Sequence, residues 1–583
     1  MMAAAVSINN NNREDELEAG ISTSKEEPPP TTTTPNSKEE AKKLSDDELE
    51  PIFKPTREFL LAFLALCTIT LAVAFDATSL AVAIPAISTA LGGTALEAFW
   101  SGTSFLLSST VLQPTLASLS SIFGRKNLIY VSSFLFGAGS LIAALAGNFT
   151  VILVGRTIQG AGGGGIITLT EVVVTDLVPL AVRGQWFSLL SAMWSIGTVT
   201  GPLIGAGFAQ NVSWRWIFYI NLPVIGLGLL FIIIFLHQRK IPGGIAYKMR
   251  RFDYFGSILF ITSMTGFLFG VTTGGVIYEW SSFRVLLPLL VGPAGLAGFL
   301  FYEFNYALEP IVNRGLFKNW DLIASYLMTV FHGAVLWSLM YFLVLYYQGV
   351  KFYTPIISAV AALPESLTVA PAAVAIGIIA GKTGHYRWAM WVGWLLTTMG
   401  TGILLLLRPD TTVVQWIFLN IPVGLGSGML FPGMGLSIQA ACDPALNGQA
   451  MAFYSFARGV GQAIGVAISG VIFQNVFKRK LVNLAGFAGV ADEYSRDATI
   501  VVGIINTMPD SADKTDLVKA YSESLHMIWA AMIAFSGLCS ILSFTIKGFS
   551  LSQEHVTQQG MVSRTADGKP ERKDEEAVRS KSL

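Results

Sequence analysis

About fourteen apolar stretches of roughly twenty residues recur along this chain, and that repetition restricts its fold more than any motif. A hydrocarbon layer about 30 Å thick offers no water to backbone N–H and C=O groups, so each stretch must satisfy its own as a helix. The first six run at about 59–83, 96–118, 127–147, 149–172, 185–209 and 216–236. Two follow at 253–273 and 284–303, and six more at 322–348, 355–380, 387–407, 412–438, 448–473 and 525–547. Only 13% of the residues are charged and 52% are hydrophobic, against about 25% charged in a soluble domain. The fold class expected is an all-α polytopic membrane protein.

Loop charge gives the orientation. Arg125, Lys126, Arg183, Arg239, Lys240, Lys248, Arg250, Arg251, Arg314, Lys318, Lys382 and Arg387 fall in loops of one parity, whereas the short loops of the other hold little beyond Arg284, Lys351 and Arg408. The positive-inside rule places both termini in the cytoplasm. The sequons at Asn148 and Asn211 then lie in outer loops, as glycosylation sites would. Residues 1–57 are polar and low in complexity, a composition that builds no core, and 548–583 form a second polar cytoplasmic tail.

Composition also excludes function classes. Net charge is zero, so nothing points to nucleic acid, and three scattered cysteines give neither a disulfide framework nor a metal site. The five histidines lie far apart, no GxxxxGK[ST] loop is present, and the GAGGGG run at 160–165 follows no strand. Neither an enzyme nor a cofactor is expected.

Several features repeat eight spans apart. GAGGGG in span 4 answers GLGSG at 424–428 in span 12, and the four-spaced Gly197, Gly201 and Gly205 of span 5 answer Gly461 and Gly465 of span 13. If spans 7 and 8 are inserted, two six-helix halves remain: 58–237 and 311–547, with 238–310 between them and a long outer loop at 474–524. Gly197, Gly201 and Gly205 share one bare helix face that admits a neighbouring backbone, and Pro202 loosens the helix beside it. That face is expected to pack on a helix of the C-terminal half and seal a central cavity.

Ionisable side chains deep in a bilayer are functional candidates. Asp76 follows Phe59 by 17 positions (76 − 59), about 26 Å of helix, and Arg156 follows Phe149 by 7 (156 − 149), about 10 Å from the opposite direction. The two are expected at overlapping depths, Asp76 taking up and releasing a proton and Arg156 stabilising its charged form. Glu171 and Asp176 are assigned to the cytoplasmic interface with Arg183. Glu365 and Arg458 stand out in the C-terminal half, where either can touch substrate or pair with the other. Gln113, Gln159, Trp337 and Tyr341 are further candidates for the cavity wall.

FDATSLAVAIP at 75–85, LVGRTIQGAGGG at 153–164, the opening of span 5 and SWRWIFYINLP at 213–223 together resemble the fourteen-span drug:proton antiporter family of the major facilitator superfamily. The span 2–3 loop keeps Gly124, Arg125 and Lys126, but Ala117 and Ser121 stand where that family has Gly and Asp. The resemblance implies a monomeric, proton-coupled exporter of small amphipathic compounds, such as drugs or a self-made toxic metabolite, in the plasma membrane. Its partners would be that small molecule, protons and the lipid bilayer. A vacuolar amino-acid transporter and a transporter-fold receptor are the alternatives.

Overall fold

The structure, a computed structural model, describes residues 53–92, 95–275, 277–484, 486–495 and 498–561; most of the first tail and the charged end of the second lie outside these. Fourteen long helices organise the chain: α1 (Arg57–Leu91), α2 (Ala95–Phe123), α3 (Arg125–Ala144), α4 (Phe149–Leu177), α5 (Leu180–Asn211), α6 (Trp216–Phe235), α7 (Tyr254–Thr273) and α8 (Phe283–Asn305). They continue with α9 (Trp320–Gly349), α10 (Pro355–Thr383), α11 (Arg387–Ile403), α12 (Val413–Ala441), α13 (Asn447–Val482) and α14 (Ala512–Phe544). Their ends are chemically marked. Thr56 caps α1 by accepting from Phe59 N, and Gly92 closes it in the left-handed region at φ 63°.

Among the described residues thirteen helices are long and apolar enough to cross a membrane, so the chain is a multi-pass membrane protein. The exception among the predicted spans is α4, which has the length, 29 residues, but carries five glycines in its middle together with Arg156 and Gln159. The reason is its position. A Cβ on Gly160 or Gly164 would collide with Phe105, Ser108 and Ser109 of α2, and one on Gly162 or Gly165 with Ser132 and Phe136 of α3. The helix is wedged between two backbones and presents little surface to lipid.

The first six helices pack among themselves, α1 on α5 and α6, and α2 and α3 on α4; the last six do likewise, α9 on α13, α10 and α11 on α12, and α14 on α11. Helices α7 and α8 pair with each other, and α7 also touches α2 and α13. The result is two six-helix bundles with two helices inserted, as the resemblance implies. Segment 474–524 is built onto it: α13 runs on to Val482, and Phe477, Leu481, Val501, Leu517 and Tyr521 join the same buried apolar cluster as Tyr346, Tyr347 and Trp529.

One expectation fails. Gly197, Gly201 and Gly205 pack on Ala74, Thr78 and Ser79 of α1, within the N-terminal six helices, where Thr78 Oγ1 donates to the Gly197 carbonyl at 3.0 Å. The C-terminal helices meet α5 nearer its start instead. Gly184 faces Gly377 of α10, and Ser188 Oγ donates to the Ala373 carbonyl at 2.8 Å. Four-residue spacing identifies a close-packing face but does not say which neighbour fills it.

Candidate functional site

Asp76 and Arg156 meet. Asp76 on α1 is fully buried, and its Oδ2 accepts from Arg156 Nη1 of α4 at 2.5 Å. Its Oδ1 accepts from Gln159 Nε2 at 2.8 Å and from Asn221 Nδ2 of α6 at 2.9 Å. Arg156 also donates to Gln159 Oε1 at 2.6 Å and to the Ser101 carbonyl of α2 at 3.0 Å, while its guanidinium stacks 4.4 Å from the Phe105 ring. Gln159 Nε2 reaches Ser140 Oγ of α3 at 2.7 Å. Helices α4 and α6 therefore donate to the α1 carboxylate, and α2 and α3 anchor the donors. A buried ion pair is tolerable only when its remaining lone pairs and protons are matched in this way.

Helical spacing explains the geometry. Arg156 and Gln159, three residues apart, share a face of α4, and Phe218 and Asn221 in FYINLP likewise present a ring and an amide to the same pair. Gln159 therefore belongs to this network and does not line the cavity between the halves. Asn221 went unassigned as a site residue, although it stands inside the motif quoted above.

A narrow cleft, partly open to solvent, lies between the two six-helix bundles. Thr70, Glu171 and Trp194 line it from one side, and Phe431, Tyr454 and Arg458 from the other. Arg458 Nη2 of α13 donates to Glu171 Oε1 of α4 at 2.7 Å, and Ser455 Oγ donates to the other carboxylate oxygen. The guanidinium lies 5.0 Å from the Tyr454 ring and 5.4 Å from that of Phe431, contacts that keep it partly desolvated. Glu171 thus pairs with Arg458 and not with Arg183, and Arg458 does not pair with Glu365. Residue separation along the chain carried no sign of either fact.

Other candidates are dispersed. Glu365 on α10 is buried, with neither carboxylate oxygen partnered among the described residues, and the Gln113 carbonyl oxygen is also unpartnered. Neither borders this cavity, nor do Trp337, half-buried on α9, and Tyr341, 38% exposed. Gly124 takes φ 101° at the α2–α3 turn. Arg125 Nε donates to Asp176 Oδ2 at 3.1 Å and its Nη1 to Ser120 Oγ at 2.6 Å, while Lys126 Nζ reaches the Ile233 carbonyl. Arg183 donates to the Val178 and Thr175 carbonyls and, across the bundles, to Gln439. Its hydrogen-bond partners are carbonyl groups, and Asp176 acts on it through charge alone. Among the described residues Ser121 Oγ donates back to the Ser118 carbonyl of its own helix. Asn148 caps α4 and Asn211 ends α5; both are exposed.

Comparison with known proteins follows the same lines. The family model described as Major Facilitator Superfamily matches residues 66–466. "MFS transporter L2" of Phoma sp. is 48% identical over 524 residues, 89% of this chain and 88% of its own. The "Acurin A biosynthesis cluster MFS-type transporter" of Aspergillus aculeatus is 36% identical over 511 residues, 86% and 92% of the two chains. The "MFS-type efflux pump LUC4" of Fusarium sp. is 33% identical over 533 residues, 89% and 94%.

Proposed function

The chain belongs to the major facilitator superfamily, and on that premise we propose that it is a proton-coupled antiporter exporting small amphipathic organic compounds, a secondary metabolite or drugs among them. One observation carries the coupling: the fully buried Asp76, held by Arg156, Gln159 and Asn221. All three groups donate to it, so protonation of Asp76 would leave them competing for a poorer acceptor. That strain biases the N-terminal bundle toward a second arrangement. The relatives named as an efflux pump and as a biosynthesis-cluster transporter support export of a self-made compound.

In this reading residues 58–237 and 311–547 rock about the cavity that Glu171 and Arg458 bridge, with 238–310 as the insertion. The loop charges favour both termini in the cytoplasm, and the resemblance to exporters favours the plasma membrane. Asn148 and Asn211 then face outward and accept glycans. The protein works as a monomer. Transport in sealed vesicles tests the proposal: an imposed pH gradient should drive accumulation of an amphipathic compound by the wild type and not by Asp76→Asn. Accumulation surviving the substitution would remove Asp76 from coupling.

A further inference from the structure

The chain does not leave the bundle where α14 ends. Lys547 N donates to Asp321 Oδ1 at the start of α9, Phe549 N donates to the Tyr386 hydroxyl at 3.2 Å, and Gln553 Nε2 donates to the Ala440 carbonyl at the end of α12, 2.8 Å away. Asp321 and Ala440 lie in the last six helices and Tyr386 in the turn just before α11, so all three partners belong to the C-terminal bundle. Leu551, between these anchors, is buried.

The same segment then crosses to the first six helices. His555 Nε2 lies 3.3 Å from the Thr175 carbonyl, and Thr557 Oγ1 donates to Asp176 Oδ1 at 3.1 Å. Gln559, almost fully buried, accepts from the Arg125 backbone N–H at 2.8 Å and reaches the Ser120 carbonyl with its amide. Beyond it, Arg239 N donates to the Gly560 carbonyl and Gln238 Nε2 to that of Gln559. Thr557 and Gln559 therefore join the Arg125–Asp176 ion pair, Thr557 on the carboxylate and Gln559 on the arginine backbone.

We propose that Phe549–Met561 is a strap that holds the two bundles together at the face carrying the α2–α3 loop, and must be released before that face can open. The argument rests on the rocking motion proposed above. Glu554 alone separates Gln553, anchored on α12, from His555, anchored on α4, and an extended residue spans at most about 3.6 Å. A separation of several ångströms between the two helix ends cannot be absorbed by so short a link. One set of anchors has to break, so strap release and opening of the face are a single event, and any ligand or modification that lifts the strap promotes opening.

Pulsed electron spin resonance on the reconstituted full-length protein tests this, with the three native cysteines replaced by alanine. One spin-label pair, Asn127→Cys with Lys382→Cys, reports the strapped face, and a second, Gly147→Cys with Asp410→Cys, reports the opposite one. The strap is removed in two ways, by ending the chain after Ser552 and by Thr557→Val with Gln559→Leu. The point variant decides the matter if the truncated chain does not fold.

Losing these hydrogen bonds, one of them to a carboxylate, should raise the open-to-closed ratio at the strapped face on the order of tenfold, with a matching shortening across the opposite face. Distances that match the parent in both variants, while a step from pH 7.5 to 5.5 still moves the parent, would overturn the strap and leave the transport reading standing. If no pair moves in any variant or at either pH, alternation of the bundles itself fails, and the strap with it.

Discussion

Glu171 of α4 accepts a hydrogen bond from Arg458 of α13 at 2.7 Å, joining the two six-helix bundles at the wall of the cavity between them. The pair is nearly buried, with side chains 13% and 9% exposed. Removing one partner strands the other's charge, at a cost of about 3–5 kcal/mol in such settings. Glu171→Gln and Arg458→Leu should each lower thermal stability markedly, and the double variant should lose less than the sum of the two. Melting curves of the four proteins in one detergent measure the cycle; strict additivity would show that the pair is not coupled.

The α1–α5 contact gives a second prediction. A side chain at Gly201 or Gly205 meets the Thr78 or Ser79 region of α1, whereas a Cβ on Gly207 meets nothing within 4 Å. Gly205→Val should therefore reduce the yield of monodisperse protein and destabilise it by about 1–3 kcal/mol, and Gly207→Ala should be neutral. Size-exclusion profiles and melting temperatures separate the two cases. Equal behaviour would mean that α5 does not lie against α1 in this way.

At the junction between bundles, Ser188 and Gly184 of α5 touch Ala373 and Gly377 of α10. A β-branched side chain at Gly377 would collide with the Gly184 carbonyl and Ser188 while leaving the core of each bundle alone. Gly377→Val should cost about 1–3 kcal/mol of stability, as overpacking does, and slow transport per folded molecule at least severalfold. Transport rate per folded molecule is the measurement, and an unchanged rate would contradict a closed contact at this position.

Burial pushes the Cys442 thiol, just beyond α12, up to about 12 from its ordinary 9.0. A thiol with a raised value stabilises the fold fully below pH 9 and loses that contribution as pH climbs from 9 toward 12. Wild type should therefore lose stability over that window, and Cys442→Ala should lose less. At pH 7.5 a maleimide should leave Cys442 unmodified in folded protein, as with the buried Cys67 and Cys539. Labelling counted by mass spectrometry before and after denaturation checks the prediction.

How far the sequence predicted this molecule depended on whether a feature is local. Apolar run length located every long helix, because a bilayer leaves a backbone no other choice. The meeting of Asp76 and Arg156 followed from counting helical rise on two antiparallel spans, which needs no knowledge of their rotation. Glu171 and Arg458 escaped because their pairing depends on how one bundle docks on the other. The glycines of α5 announced a close approach without naming α1 as the partner. Residues 549–561 carry neither apolar periodicity nor caps, so their polar side chains read as solvated although they bond to helix ends.

The central claim is that Asp76 couples protons to export. Accumulation of a labelled amphipathic compound in sealed vesicles, with and without an imposed pH gradient, tests it most directly when wild type is compared with Asp76→Asn. The account predicts gradient-driven accumulation by the wild type and its loss in the variant, with melting temperature and vesicle incorporation retained. Gradient-driven accumulation that persists in Asp76→Asn would contradict it.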